Sequence, residues 1–289
     1  MPSMFVIVLA RVFLSVSANT VQKRLVLQGA SIRSIWLLTY AFMLVPTCLL
    51  ALLCTDAVTG AFWWNIGLGG ILDAIGNLTM VAALRATDLS VFGPLNALRP
   101  VLALLFGWLF LSETPTATGG LGLAVTVAGT FFLLRTGNEP SIRQAGWRRI
   151  LALRVLGLSL STAGAVFLKR AAFLSSVEMT LAGWTACGLI CLLLTFSLQK
   201  ENVIRQLPAA FAHHRNWLLL HAGCFLVMQW LTICIFQRAL LAYSFAFFQL
   251  GMILQVVAGR FVFREPSFRW RMAGCAAMGL GSLLIFWKG

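Results

Sequence analysis

Apolar residues fall into ten long runs separated by short polar breaks, at roughly 4–21, 34–54, 62–84, 91–111, 118–134, 150–168, 179–198, 217–237, 243–263 and 271–287. Each run is close to the ~20 residues a helix needs to cross the hydrocarbon core of a bilayer. The runs lack the alternation of apolar and polar positions that membrane strands show, so they predict helices. The first run carries no basic residue before Arg11, and Lys23 and Arg24 follow it, so it reads as a retained span rather than a signal peptide. The longest breaks, about 135–149 and 199–216, are too short to fold as soluble domains. The expected fold is an all-α membrane protein of ten transmembrane helices.

Composition sharpens this. Of 289 residues, 60% are hydrophobic and 10% charged, whereas a soluble domain carries roughly a quarter charged residues. A disordered chain, a secreted disulfide scaffold and an ordinary cytosolic enzyme are all excluded. The seven cysteines lie within or at the end of apolar runs. Cys187 and Cys191 share a helix face, and the reading is buried thiols. No His-Glu or Cys-His spacing suggests a metal, and no cofactor is expected. Net charge is +14, from 22 Lys+Arg against 8 Asp+Glu. The basic residues fall singly between apolar runs and form no patch, so nucleic acid is not expected as a partner.

The break RTGNEPSIRQAGWRR (135–149) leaves five runs on each side. SVFGPLNALRPVLALLFGWLFLSETP (90–115) lies over AYSFAFFQLGMILQVVAGRFVFREP (242–266) at an offset of 152, which pairs Gly107 with Gly259, Glu113 with Glu265 and Asn77 with Gln229. At 153, Gly120, Ala124 and Ala128 meet Ala273, Ala277 and Gly281, two stripes of small residues. Five spans is an odd number, so two such halves must lie upside down relative to each other. That is an inverted repeat, an arrangement that builds a transport site at the repeat interface. The boundaries read as a first repeat 1–138, a connecting loop 139–149 and a second repeat 150–289.

LFLSETPTATGGLGLAVTVAGTFFLL (109–134) and FVFREPSFRWRMAGCAAMGLGSLLIF (261–286) resemble a pattern of the drug/metabolite transporter superfamily, EamA-type branch. There an apolar helix closes on L-G-E, a short turn follows, then a glycine-rich helix. Ser112 and Arg264 stand in the usual glycine position. The resemblance covers essentially the whole chain. It implies a central cavity walled by spans one, three, four, six, eight and nine, with spans five and ten as structural posts. One departure is that CTDAVTGAF (54–62) lacks the basic residues such proteins usually carry there.

Ionisable and amide groups within spans are costly and mark functional sites. Asp73 is the one acid deep in any span, and it is a proton-coupling candidate or one half of an ion pair with Arg99. Asn77 follows Asp73 by four residues and shares its face, and Asn96 precedes Arg99 by three. Gln229 stands at the Asn77 position of the second half, with Trp230 beside it. Gln249 lies near the Asn96 position, and Gln255 further on. Arg11 and Arg154 sit one to two turns inside spans one and six, either cavity-facing or reaching to the headgroups. Asn19, Ser161 and Thr162 are weaker candidates on the same helices. Pro94 and Pro100 bracket the start of span four and predict a bend beside Arg99. Tryptophans 63, 64, 147, 217, 270 and 287 lie near span ends, as interfacial belts do.

Lys23, Arg24, Lys169 and Arg170, and likewise Arg85 and Arg238, are read as loop charges that cancel as repeat equivalents. The surviving bias is eleven basic residues in odd loops (Arg33, Arg135, Arg143, Arg148, Arg149, Lys200, Arg205, Arg215, Arg264, Arg269, Arg271) against Lys288 alone. The positive-inside rule then places both termini outside, whereas relatives usually have both inside.

The function expected is a secondary transporter or exporter, in a bacterial inner membrane, moving a small polar or amphiphilic metabolite by alternating access. Anionic or zwitterionic solutes are favoured by the deep arginines, and membrane lipid is the surrounding partner. The chain is read as monomer or homodimer. A flippase for a lipid-linked substrate is the alternative on the same fold. A membrane transferase would need clustered acids or a His-acid pair, and no two acids lie within four residues of each other.

Overall fold

The described residues follow one another as ten helices, with no strand among them. They are α1 (Pro2–Leu27), α2 (Ile32–Leu52), α3 (Gly60–Leu84), α4 (Leu98–Leu111), α5 (Ala117–Arg135), α6 (Trp147–Leu174), α7 (Val177–Leu198), α8 (Val203–Arg238), α9 (Leu241–Phe263) and α10 (Phe268–Lys288). This computed structural model describes residues 2–54, 58–84, 98–135, 147–198, 203–263 and 268–288. Each helix falls on one of the ten apolar runs. Five of them are long and apolar enough to cross a membrane, within 4–27, 32–52, 152–174, 177–197 and 210–238.

Several helices outrun their apolar runs. Helix α6 continues to Leu174, so Lys169 and Arg170 are helical, not loop charges, and Lys169 is 5% exposed. Likewise Arg24 lies in α1 with its guanidinium 4.1 Å from the Trp217 ring centroid. Helix α8 begins at Val203, inside the break expected as loop, and bends at His214 (φ −122°, ψ 17°). Hydropathy marks what lies in hydrocarbon, whereas helical hydrogen bonding continues into polar flanks wherever side chains permit.

Helix ends are set locally. Gly29 takes φ 87°, and Ala30 donates back to the Leu25 carbonyl, which closes α1. Ser112 ends α4 at φ 54°, the left-handed region in which glycine is at ease. Glu113 N–H then turns back to the Gly107 carbonyl at 3.1 Å.

The helices sort into two compact units. The first gathers Met1–Phe5, Ile75–Val166 and Arg238–Gly289, and the second Val6–Ala74 and Phe167–Gln237. In the first unit α5 packs along α10, and α4 against α9. In the second, α2 packs against α7. The α5–α10 seam runs through glycine. A Cβ on Gly122 would lie 2.7 Å from the Gly281 carbonyl oxygen, and one on Gly129 would lie 2.8 Å from Met278 N. Such glycine contacts let the two helix backbones approach closely, as small residues do at helix–helix interfaces. The expected stripe is only half right: Gly281 and Ala277 are in the seam, while Ala124 and Ala128 face outward. Thr126 takes the inward place, its hydroxyl satisfied by the Gly122 carbonyl at 2.9 Å.

Candidate functional site

In the second unit, Asp73 lies one turn beyond Gly70 on α3. Gly70 leaves room for the Cys187 side chain of α7, and Gly188 on the next residue admits the Tyr40 ring of α2. Asp73, Tyr40, Cys187 and Cys191 are thereby within electrostatic reach of one another. Tyr40 belongs to an aromatic cluster built on helical spacing. Trp36 and Tyr40 of α2 are four residues apart, as are His221 and Phe225 of α8, and Trp184 comes from α7. Ring centroids lie 5.3 Å apart for Tyr40–Trp184 and 5.2 Å for Trp36–Phe225. His221 stacks on Phe225 at 6.0 Å, and its Nδ1 shares a 2.9 Å hydrogen bond with the Thr39 hydroxyl. His221 and Thr39 are buried, so each satisfies the other where water is excluded.

Further along α8, the Arg11 Nε donates to the Thr232 hydroxyl at 3.2 Å. This bond ties Arg11 to α8. Gln229, one turn before Thr232, is buried. Trp230 points elsewhere: it is 37% exposed, and its indole N–H donates to the Glu178 carboxylate at 3.3 Å. Asn19 is exposed on α1.

In the first unit, Arg99 Nη2 donates to the Ser161 hydroxyl of α6 at 2.7 Å. Its guanidinium carbon stands 5.6 Å from the Phe245 ring centroid of α9. Gln249, one turn after Phe245, is buried. Arg154 is 6% exposed and within electrostatic reach of Arg99. Thr162 is buried, with its hydroxyl turned back to the Leu158 carbonyl at 2.6 Å. Gly76 of α3 seats this group: a Cβ there would lie 2.7 Å from Ser161 N and 2.8 Å from the Gly157 carbonyl oxygen. Pro100 is buried in the first described turn of α4.

Of the residues singled out from sequence, Arg99 and Ser161 meet, with Arg154 in electrostatic reach of Arg99, and Arg11 meets Thr232, which the sequence reading did not single out, one turn after Gln229. Asp73 and Arg99 fall in different units. Asn96 and Pro94 lie outside the described residues, and the side chains of Asn77 and Gln255 lie outside them too. Sequence reasoning passed over Tyr40, Trp184 and His221. Their one signal was the four-residue spacing of aromatic rings on α2 and α8.

Residues 2–135 match the model of the EamA-like transporter family. A solved crystal structure, titled only as that of a protein, shares the fold with a TM-score of 0.69 at 18% identity, covering 98% of this chain and 96% of its own. No curated protein matches. The matched segment, residues 2–135, is thus similar to the EamA-like transporter family of the drug/metabolite transporter superfamily, whose members are integral membrane proteins.

Proposed function

We propose that the chain is a secondary transporter that moves a small polar or amphiphilic metabolite across the membrane by alternating access. The carrying observation is that ionic and amide side chains are buried within apolar helices, with Arg154, Gln229 and Gln249 each under 10% exposed. Such groups cost free energy in hydrocarbon and persist where they serve a pathway or a solute. Asp73, beside Tyr40 and two thiols, is the residue proposed for proton coupling. Rocking of two five-helix repeats would open the site to each side in turn. The repeat reading is supported by which helices pack together: second with second (α2, α7), fourth with fourth (α4, α9), fifth with fifth (α5, α10).

The test is uptake of a metabolite panel into proteoliposomes holding purified protein, with and without a pH gradient. Accumulation driven by the gradient in wild type, lost in Asp73→Asn, supports the reading. Full uphill transport by Asp73→Asn removes Asp73 as the coupling group, and no uptake of any panel member removes the transporter reading.

A further inference from the structure

We infer that one end of the second unit is a docking surface for anionic phospholipid headgroups, made by the last turns of α1 and the first turns of α2 and α8. The surface is independent of which solute the chain carries. Residues 20–35 and 203–220 hold Lys23, Arg24, Arg33, Arg205 and Arg215, and neither Asp nor Glu. Lys200 and Glu201, between α7 and α8, cancel in charge. Packing gathers these segments around one apolar cluster of Val21, Leu25, Ile35 and Leu218, with Phe211 and Trp217 against it. Arg24 precedes Leu25, Arg33 lies two residues before Ile35, and Arg215 stands about one turn before Leu218. Cations from three helices therefore border a single cluster, and no acid from these segments offsets them.

The start of α8 has the form of an interfacial helix. Leu207, Phe211, His214 and Leu218 recur at helical spacing and turn inward. Leu207 packs against Leu37 and Phe196, and the Phe211 ring centroid lies 5.2 Å from that of Phe42. Pro208, Ala212, His213, Arg215 and Asn216 are exposed around the rest of the helix. The backbone leaves helical geometry at His214, where this segment gives way to the apolar run. An amphipathic segment that meets a span at a bend, beside basic residues and a tryptophan, is suited to the headgroup layer. Arg24 and Arg215 are exposed, and among the described residues neither makes an ion pair or donates a hydrogen bond. The Trp217 ring, 4.1 Å from the Arg24 guanidinium, holds that side chain by a cation–π contact and leaves its donor edge to meet a phosphate. Val26 and Leu27 beside Arg24, and Leu219 and Leu220 beyond Trp217, are exposed as well. Cations for phosphate thus adjoin apolar surface for acyl chains, a pairing that suits a phospholipid rather than a free anion.

The experiment is a titration of purified protein in nonionic detergent with phosphatidylglycerol, with phosphatidylcholine and with inorganic phosphate at matched ionic strength, reading the unfolding midpoint. Phosphatidylglycerol is expected to raise the midpoint beyond the other two. Arg24→Gln and Arg215→Gln should each raise the lipid concentration that gives half the shift by about fivefold, one cation's share of the attraction to an anionic surface. Arg24→Lys keeps the charge and should fall between Arg24→Gln and wild type. Arg238→Gln, at an exposed position at the far end of α8, should titrate like wild type. Arg215→Gln decides the matter if Arg24→Gln, which also loses the contact with Trp217, fails to elute as a single folded species. The proposal is overturned if phosphatidylcholine matches phosphatidylglycerol, or if inorganic phosphate alone gives the full shift. It is equally overturned if Arg215→Gln titrates like wild type, or if Arg238→Gln weakens the response as much as Arg215→Gln does.

Discussion

The Glu113 carboxylate accepts the backbone N–H of Leu241 at 2.7 Å, tying together positions 128 residues apart in sequence. Leu241 opens α9, so the carboxylate meets both an unsatisfied N–H and the positive end of the helix dipole. Nearby the Tyr243 hydroxyl accepts the Thr116 N–H at 3.2 Å, and Gly107 leaves space for the Glu113 side chain. Glu113→Ala is expected to lower stability in detergent by about 1–2 kcal/mol. Glu113→Gln should cost less, since its amide oxygen still accepts. Equal unfolding midpoints for wild type and Glu113→Ala would sink this account.

Ser112 explains a departure noted in the sequence. The EamA-type pattern that the sequence resembles has glycine there, and the backbone is left-handed with φ 54°. A Cβ in that region is strained by roughly 1 kcal/mol. Ser112→Gly should therefore stabilise the protein, less the loss from greater freedom of the unfolded chain, by a few tenths to about 1 kcal/mol. A lower melting temperature for Ser112→Gly would contradict the strain.

Two glycines that look alike in sequence should behave in opposite ways. A Cβ on Gly281 would press on the Gly122 carbonyl oxygen and on Thr126 N, both at 2.6 Å, while one on Gly120 would meet nothing within 4 Å. Gly281→Ala should cost about 1–3 kcal/mol by overpacking the α5–α10 seam. Gly120→Ala should be neutral or stabilise by up to about 1 kcal/mol, because alanine favours the helix. Thermal unfolding of the pair side by side is the measurement.

Thr39→Val keeps the shape of the side chain but leaves the buried His221 Nδ1 without that partner. A loss of about 1–3 kcal/mol is expected. Substituting both, Thr39→Val with His221→Phe, should recover much of it, and a double-variant cycle with no coupling would overturn the assignment.

The bias of basic residues between the apolar runs, many of them in helix ends such as Arg33, Arg148, Arg149 and Arg269, predicts both termini outside. A cysteine in place of Gly289 should react with a membrane-impermeant maleimide in intact cells. Labelling only after permeabilisation would reverse the orientation.

The ten helices were legible because each apolar run approaches the length of a bilayer crossing. Their ends were not, because α6 and α8 remain helical through Lys169, Arg170 and Arg205, whose charge stops an apolar run without stopping a helix. The seam of α5 was sought among small residues and so missed Thr126, which hides its hydroxyl in its own helix. Arg99 and Ser161 were both visible as polar residues in spans, but their meeting depends on which faces of α4 and α6 adjoin, and spacing within a helix does not carry that. The Tyr40 cluster was hidden for a different reason. Aromatic residues are common throughout this chain, and three helices must be assembled before the rings touch.

Each compact unit is drawn from both halves of the chain, and α3 and α6 pass from one unit into the other. During synthesis, therefore, neither unit can be completed when residue 149 has been made. Helices α2, α4 and α5 are made before the helices they pack against, α7, α9 and α10. A chain divided at the 135–149 break would yield two fragments that recover either unit only by finding each other.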